Sequence, residues 1–227
     1  MLAQFVSNEK ATEARGSVAQ ALSLGDVPCV TCSFQIEDMV VVELVREQVP
    51  DVPVLFLETG YHFPGVYEYR DRMTARYRLN LVNVTAPETL VEHEAAFGLL
   101  HQSQPDQCCK RRKVGPLFAA LRSYDVWFTG LRRVQSPTRA NLQVSDQFPL
   151  PTGERLLKVS PLASWTDAEV WKFARELDIP VLPLYNEGYT SIGCEPCTAR
   201  PIDPSNLRSG RWAGRKLECG IHIAEEH

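Results

Sequence analysis

The chain lacks a long apolar run, a secretion signal and an excess of positive charge. No segment approaches the roughly 18 consecutive apolar residues of a membrane-spanning helix, and residues 1–22 have no unbroken apolar stretch behind a basic start. A net charge of -4 provides no general basic surface for nucleic acid. We therefore expect a cytoplasmic protein with no membrane or nucleic-acid partner, in which any anionic ligand meets a local group of arginines and lysines.

Internal repeats and low-complexity tracts are also missing, and from Pro180 onward the chain loses regular periodicity. A chain of 227 residues, of which 44% are hydrophobic, is long enough for one substantial core. We expect a single α/β domain over residues 1–200 and a mobile tail over residues 201–227. These features do not fix the oligomeric state, and a homo-oligomer stays open.

Strands alternate with helices along the first 180 residues. The segments 28–34 and 52–60 are nearly continuous in apolar residues, which is typical of strands covered on both faces. We predict strands at 28–34, 52–60, 79–84, 124–129, 142–148 and 154–159, and helices at 9–24, 36–49, 65–78, 107–122 and 165–179, the last one capped by Thr166. Residues 87–104 have no clear pattern. This order predicts a mostly parallel, Rossmann-like sheet flanked by helices, with ligands at its carboxyl edge.

Seven cysteines, an odd number that includes one adjacent pair, do not suit a secreted disulfide framework. The adjacent pair, Cys108 and Cys109, and the Cys-x-x-Cys pair, Cys194 and Cys197, could together enclose one soft metal centre. Adjacent residues of a helix point about 100° apart, so both sulfurs of the first pair reach one zinc ion only with strain. This geometry favours a multi-iron cluster, while a zinc site and four inert buried thiols are the alternatives.

A second Cys-x-x-Cys segment, formed by Cys29 and Cys32, has a different interpretation. Both residues lie in a predicted buried strand, where residues three apart point to opposite faces. Their sulfurs cannot share a small metal site, so we expect two structural thiols.

A lone cysteine, Cys219, lies between Glu218 and Gly220 in the predicted tail. Nearby positive charge favours the thiolate, which is the reactive form of the group, while Glu218 acts in the opposite direction. The cations that precede it are Arg208, Arg211, Arg215 and Lys216. We expect a nucleophile on a flexible segment, and a stray surface cysteine is the alternative.

Three further groups could bind an anion. The turn at Ser33 joins a strand to a helix, where its hydroxyl and the backbone N–H groups could hold a phosphate, although an ordinary helix cap is the alternative. Lys113 shares a helix face with Cys109, but it also belongs to a basic run that could be solvated. The loop after the fourth predicted strand contains Arg132, Arg133 and Arg139. These arginines either bind an anion or are exposed to solvent.

Several segments occur in a fixed order: SFQIEDMV, LETG, CCKRRK, TGLRRVQSPTR, SIGCEPCT and ECGIH. Together they closely resemble the assimilatory adenylylsulfate reductases of the phosphoadenylylsulfate reductase family, over about residues 28–222. The double cysteine, the Cys-x-x-Cys and the terminal Glu-Cys-Gly-x-His are the most specific parts. Two positions depart from the usual pattern, since Glu58 replaces a commoner Asp and the pair Gln35 and Ile36 replaces a small Gly-Ala pair.

The resemblance implies an adenine-nucleotide α-hydrolase-like fold and reduction of adenosine 5′-phosphosulfate to sulfite and AMP. It implies that one 4Fe-4S cluster per subunit is bound by Cys108, Cys109, Cys194 and Cys197. Cys219 would attack the sulfate sulfur and form an S-sulfonate, from which thioredoxin or a glutaredoxin-like dithiol releases sulfite. The expected substrate-binding residues are Ser33, Thr59, Gly60, Lys113, Arg139, Arg208 and Arg211, to which the loop residue Arg132 is added.

Two alternative functions stay open on the sequence. The first is reduction of 3′-phosphoadenylylsulfate, or use of both nucleotides; members of the family that use that substrate generally lack the two cysteine pairs. The second is a zinc-bound thiol module that binds or regulates a partner without turnover.

Overall fold

A computed structural model describes residues 2–203, 206–216 and 218–222, with side chains from residue 9 onward. The helices are α1 (Leu2–Leu22), α2 (Ile36–Arg46), α3 (Pro64–Tyr77), α4 (Leu90–Phe97), α5 (Leu100–Ser103), α6 (Pro105–Cys109), α7 (Gly115–Leu121) and α8 (Asp167–Glu176). The strands are β1 (Pro28–Thr31), β2 (Pro53–Glu58), β3 (Asn80–Thr85), β4 (Val126–Phe128), β5 (Ser145–Pro149) and β6 (Arg155–Val159). Every predicted strand and helix is observed, with shifted ends.

The strands form one sheet in the order β3-β2-β1-β4-β6-β5. All neighbouring pairs are parallel except the edge pair of β5 and β6, which is antiparallel. The chain builds outward from β1 through β2 to β3 and then returns to place β4 on the other side of β1. This reversal creates a crevice at the carboxyl ends of β1 and β4, where sheets of this kind bind ligands. The predicted mostly parallel α/β fold is confirmed.

Apolar residues on the two faces of the sheet form two separate cores. Val30 of β1 packs in the core shared with α1, α2, α3 and α8, whereas Cys29 packs with Trp127 and Leu117 on the side of α7. Cys32 belongs to the first core, so the sulfurs of Cys29 and Cys32 are separated by the sheet. Burial raises the pKa of both thiols well above the usual value. Their placement on opposite faces is confirmed, and both are inert at neutral pH.

Two helices begin at capping boxes. Thr166 accepts a hydrogen bond from the N–H of Glu169, whose carboxylate accepts one from the N–H of Thr166, as the predicted cap of α8 requires. Thr89 and Glu92 make the same exchange at the start of α4, within the segment that had no clear pattern. Each cap satisfies N–H groups that would otherwise lack partners and stabilises its helix by about 1 kcal/mol.

The helix that carries the adjacent cysteines is not a continuous α-helix. A π segment, Lys110–Val114, separates α6 from α7, and the N–H of Gly115 donates to the carbonyl of Lys110, five residues back. Pro116 explains this change, because it has no N–H to offer Arg112 and its ring would clash with the carbonyl of Arg112 in an α-helix. The proline therefore sets the register of the residues that follow Cys109.

The helices also bear on the predicted absence of a membrane span. Across residues 2–203, 206–216 and 218–222, none of them is both long enough and apolar enough to cross a bilayer.

Gly130, directly after β4, provides a test of how tightly the crevice is packed. A Cβ atom at this position would clash with the Asp38 carboxylate and lie 3.1 Å from the Asp38 nitrogen. We expect Gly130→Ala to lower the free energy of unfolding by about 1–3 kcal/mol, as overpacking does, in chemical denaturation. The control is Gly16→Ala in α1, where no atom lies within 4 Å of the new Cβ and a gain of up to about 1 kcal/mol is expected. Equal stabilities for the two variants would contradict this packing.

Candidate functional site

A large cavity of about 1230 Å³ opens at the carboxyl ends of β1 and β4. Its walls come from the loops that follow β1, β2 and β4 and from the last part of the chain, between residues 189 and 222. One region is aromatic, with Trp171 and Tyr185 in edge contact at 5.0 Å between ring centroids, and Tyr189 nearby. Another region is cationic, and its residues are Lys113, Arg139, Arg208, Arg211 and Lys216. The cavity can thus take a ligand with a flat ring at one end and negative charge at the other.

The loop after β1 is organised by a buried carboxylate. Asp38 accepts hydrogen bonds from the N–H and the hydroxyl of Ser33, at 2.7 and 2.6 Å, and from the N–H of Gly130. Burial, together with the charge of Glu37, raises the pKa of Asp38 to about 6 despite these bonds. Ser33 does line the cavity, but its hydroxyl is donated to Asp38. The acidic first turn of α2 thus engages the Ser33 hydroxyl, and the role of Ser33 in substrate binding stays a prediction.

Gln35, which replaces a smaller residue of the usual pattern, joins two walls of the cavity. Its amide nitrogen donates to the Ser33 hydroxyl at 3.0 Å, and its amide oxygen accepts from the N–H of Ile192 at 2.7 Å. The N–H of Ile36 donates to the Tyr185 hydroxyl at 3.3 Å. These bonds fix the loop after β1 against the aromatic region. The sequence showed the departure at this position but not its distant partners.

The two predicted cysteine pairs meet in the folded chain. Helix α6 carries Cys108 and Cys109, a short turn carries Cys194 and Cys197, and all four thiols are free and line one small cavity. Burial and the neighbouring thiols Cys109, Cys194 and Cys197 raise the pKa of Cys108 to about 12. In the described part of the chain, no three or more His, Cys, Asp or Glu side chains converge closely enough to hold a single metal ion.

Thr59 and Gly60 lie beside the cysteine group. The Thr59 hydroxyl is 3.3 Å from the sulfur of Cys194, and its carbonyl accepts a hydrogen bond from Arg112 at 2.8 Å. The N–H of Gly60 donates to the Glu58 carboxylate. Neither Thr59 nor Gly60 lines the large cavity. Thr59 thus supports the turn that carries Cys194, and the substrate-binding role of Thr59 and Gly60 stays a prediction.

Lys113 lies between the cysteine group and the tail, and it lines both cavities. Burial lowers its pKa, but the thiols of Cys194, Cys219 and Cys109 outweigh that effect and raise it. The ammonium therefore stays charged. Lys110, by contrast, is exposed, so the structure separates Lys113 from the solvated basic run to which it belongs in sequence.

The loop after β4 holds Arg132 in a structural pair. Its guanidinium donates to the Asp167 carboxylate at 2.6 Å and to the carbonyl of Trp165 at 3.4 Å. Arg132 is buried and borders the cavity. The ion pair with Asp167 fixes Arg132 in the cavity wall, and its role in substrate binding stays a prediction.

The other predicted arginines face the tail. Arg139 and Arg208 both bind the Glu218 carboxylate, and Arg211 lies 4.5 Å from the Trp212 ring. Among the described residues the Nε atom of Arg211 is buried without a hydrogen-bond partner. Burial lowers the pKa of Arg208 and Arg211. Arg211 is buried and Arg208 is half-buried, and both line the cavity.

The tail residues from 218 to 222 pack into the cavity. Cys219 is half-buried and lines it. His222 stacks on Trp127 with 5.3 Å between ring centroids, and its carbonyl accepts from Lys158 at 3.2 Å. Burial lowers the pKa of His222 well below its usual value, so the ring is neutral. Trp127 and Lys158 were missed in the sequence analysis. Each lies within a strand, β4 or β6, whose pattern indicates a position in the sheet but no contact with the tail.

Comparison with known proteins finds one family, both by its domain and by whole relatives. The phosphoadenosine phosphosulfate reductase domain matches residues 27–200. The adenosine 5′-phosphosulfate reductase of Mycobacterium tuberculosis (strain ATCC 25618 / H37Rv) is 44% identical over 203 residues, which cover 86% of this chain and 78% of that protein. The protein of the same name from Geobacillus kaustophilus is 42% identical over 206 residues, covering 88% and 85%.

Solved structures support the fold. The phosphoadenylyl-sulfate reductase of Candida auris, in a phosphate complex, superposes with a TM-score of 0.68 at 24% identity, over 81% of this chain and 88% of that one. The FMN adenylyltransferase of Candida glabrata, with FAD and pyrophosphate, gives 0.62 at 15% identity, over 96% and 77%. With the domain match and the close relatives, the chain belongs to the phosphoadenosine phosphosulfate reductase domain family.

Proposed function

We propose that the chain is an assimilatory adenosine 5′-phosphosulfate reductase, which converts that nucleotide and a dithiol to sulfite, AMP and a disulfide. The observation that carries the proposal is the meeting of Cys219 with Lys113 and Arg211 in one cavity, beside four further cysteines. The relatives at 42–45% identity that bear this enzyme's name support it. We place the reaction in the cytoplasm, where seven free thiols suit a reducing compartment.

The cavity's division suggests how the nucleotide lies. The adenine ring would pack in the aromatic region near Trp171 and Tyr185, and the phosphosulfate would reach the cationic region near Lys113. Binding of the adenosine end then holds the sulfate sulfur close to Cys219, so that attack becomes effectively intramolecular.

Charge repulsion is the main obstacle to this reaction. Two like unit charges 4 Å apart repel by roughly 4 kcal/mol at an effective dielectric constant of 20, so a thiolate meets about twice that from a dianion. Lys113, Arg208 and Arg211 offset the repulsion. The sulfur of Cys219 forms a bond to the sulfate sulfur, the bond from that atom to the bridging oxygen breaks, and its electron pair leaves with AMP. A Cys219 S-sulfonate remains.

A dithiol completes the cycle. One thiolate of thioredoxin or a glutaredoxin-like protein attacks the sulfur of Cys219 and displaces sulfite with the electron pair of the sulfur–sulfur bond. The second thiol of the partner then attacks the resulting mixed disulfide and restores Cys219. The two electrons of the reduction thus come from the dithiol. This step needs Cys219 to leave the cavity, which favours the predicted division into a domain of residues 1–200 and a mobile tail of residues 201–227. Of that tail, residues 204–205, 217 and 223–227 lie outside the described residues.

The cysteine group fits a 4Fe-4S cluster. Four free thiols line one cavity, and thiolates are the ligands that hold clusters of this kind. Cations surround them, because Lys216 donates to Cys109 at 3.2 Å and Lys113 faces the same cavity. When bound, the cluster would supply a fixed negative charge that orients Lys113. The residues that would hold it are Cys108, Cys109, Cys194 and Cys197.

The intermediate on Cys219 is directly testable. Incubation with 35S-labelled adenosine 5′-phosphosulfate should place the label on the Cys219 peptide, and reduced thioredoxin should release it as sulfite. Cys219→Ser should carry only background label, whereas Cys29→Ala should be labelled like the wild type, since Cys29 lies in the core and does not line the cavity. Equal label on Cys219→Ser would refute the mechanism.

Running the same assay with 3′-phosphoadenylylsulfate separates the substrates. We expect label from adenosine 5′-phosphosulfate alone. Comparable label from both nucleotides would establish dual use, and label from the 3′-phosphorylated nucleotide alone would reverse the assignment.

Lys113 should matter for chemistry more than its neighbour in the basic run. Lys113→Met removes a cation that lines both cavities, and we expect kcat/KM to fall about 100-fold to 1000-fold, as for loss of a group that stabilises developing charge. Lys110→Met is the matched control, because Lys110 is exposed, and it should stay within about twofold, as expected of a surface position. A similar loss in both variants would assign the effect to net charge instead.

Metal analysis tests the cysteine group. The purified chain should contain about four iron atoms and about four acid-labile sulfides, and Cys194→Ser should lose both together with the brown colour. Cys32→Ala should retain them. A colourless protein with zinc and no inorganic sulfide would favour the thiol module without turnover.

A further inference from the structure

The residue before Cys219 is bound by the cavity's own arginines. The Glu218 carboxylate accepts hydrogen bonds from Arg139 Nε at 3.0 Å and from Arg139 Nη2 at 2.6 Å, one to each oxygen. Arg208 adds a third contact at 3.7 Å, and the Thr138 hydroxyl donates at 3.0 Å. The side chains of Glu218 and Arg139 are only 10% and 12% exposed. Although burial raises the pKa of Glu218, Arg139 outweighs that effect and lowers it, so the carboxylate is charged.

This set of donors is suited to an oxyanion. A forked guanidinium that binds two oxygens, a second guanidinium and a hydroxyl converge on one point, which is how proteins bind phosphate, sulfate and carboxylate groups. The point borders the large cavity, because Arg139, Arg208 and Cys219 all line it. Because Cys219 follows Glu218 in the chain, the ion pair of Glu218 also holds Cys219 at the edge of this group of donors. An anion that enters the cavity therefore meets a position that Glu218 already fills.

We propose that Glu218 is an internal occupant of the oxyanion site, which the phosphate or sulfate of the substrate must displace before Cys219 is free to react. The inference rests on the proposed function. It gives the tail two states: in one, Glu218 neutralises Arg139 and Arg208, and in the other the nucleotide does so. The arginines thus never remain buried without a counter-charge, and arrival of the substrate releases the segment that holds the nucleophile.

Contacts on both sides of Glu218 keep the exchange local. On one side, Lys216 donates to Asp106 at 2.8 Å and to Cys109 at 3.2 Å. On the other, His222 stacks on Trp127 and accepts from Lys158. Glu218 can therefore leave the arginines while the flanking residues stay in contact with the domain, and Cys219 moves only a short way.

Binding of AMP to the full-length protein tests the displacement without any reaction, because AMP has no sulfate. If Glu218 holds the arginines in about nine molecules of ten, removal of its charge lowers the apparent Kd about tenfold. We expect Glu218→Gln and Glu218→Ala to bind AMP at least about threefold more tightly than the wild type, by calorimetry. Glu68→Gln, an exposed position on α3, is the matched control and should bind as the wild type does.

A second measurement distinguishes displacement from a general change in charge. The rate of Cys219 alkylation by iodoacetamide, followed on its peptide by mass spectrometry, should change when AMP binds the wild type. In Glu218→Gln the rate without AMP should already equal the AMP-bound rate. Tighter AMP binding with an AMP-dependent alkylation rate that matches the wild type would overturn the inference.

The failures of the two proposals are separable. Equal or weaker AMP binding by both Glu218 variants, in a wild type that binds AMP, would overturn the displacement and leave the proposed function standing. A wild type that binds neither AMP nor adenosine 5′-phosphosulfate would reject the proposed function and, with it, the oxyanion site.

Discussion

The ammonium of Lys113 between two sets of sulfur is the interaction on which the rest of the site depends. It lines both the cysteine cavity and the large cavity, and the thiols on either side hold it in its charged form. A buried cation is stabilised by neighbouring groups that can carry negative charge, and a thiolate that forms beside it is stabilised in turn. The same charge balance brings Arg211 toward the sulfurs and Glu218 toward Arg139.

The sheet provides the rigid frame for that balance. Because the order in which strands are added to the sheet reverses between β1 and β4, two loops open outward from one crevice, and Asp38 ties them together through Ser33 and Gly130. A carboxylate buried beneath the crevice also keeps this part of the cavity from becoming uniformly positive. The cations are instead concentrated near Cys219, where negative charge has to be accepted.

The fold and the cysteine group could be read from sequence because their signals are local. Apolar runs marked β1 and β2, and the spacing of the two cysteine pairs indicated a shared site. What could not be read were partnerships across many residues, such as Glu218 with Arg139, or Gln35 with Ile192. The partners of Thr59 and Arg132 are hidden for the same reason, since each side chain has a distant contact that spacing does not reveal.

Pro116 has a consequence that reaches beyond its own turn. The widened segment before it arises from a missing N–H, a covalent property that no change of pH, salt or ligand can alter. Hydrogen bonds elsewhere in the site can change partners when a ligand binds or a group is protonated. The angle between the side chains of Cys109 and Lys113 around the helix axis stays the same. Pro116 thus fixes the position of Lys113 relative to Cys109, while the ionic contacts around these two residues can form and break.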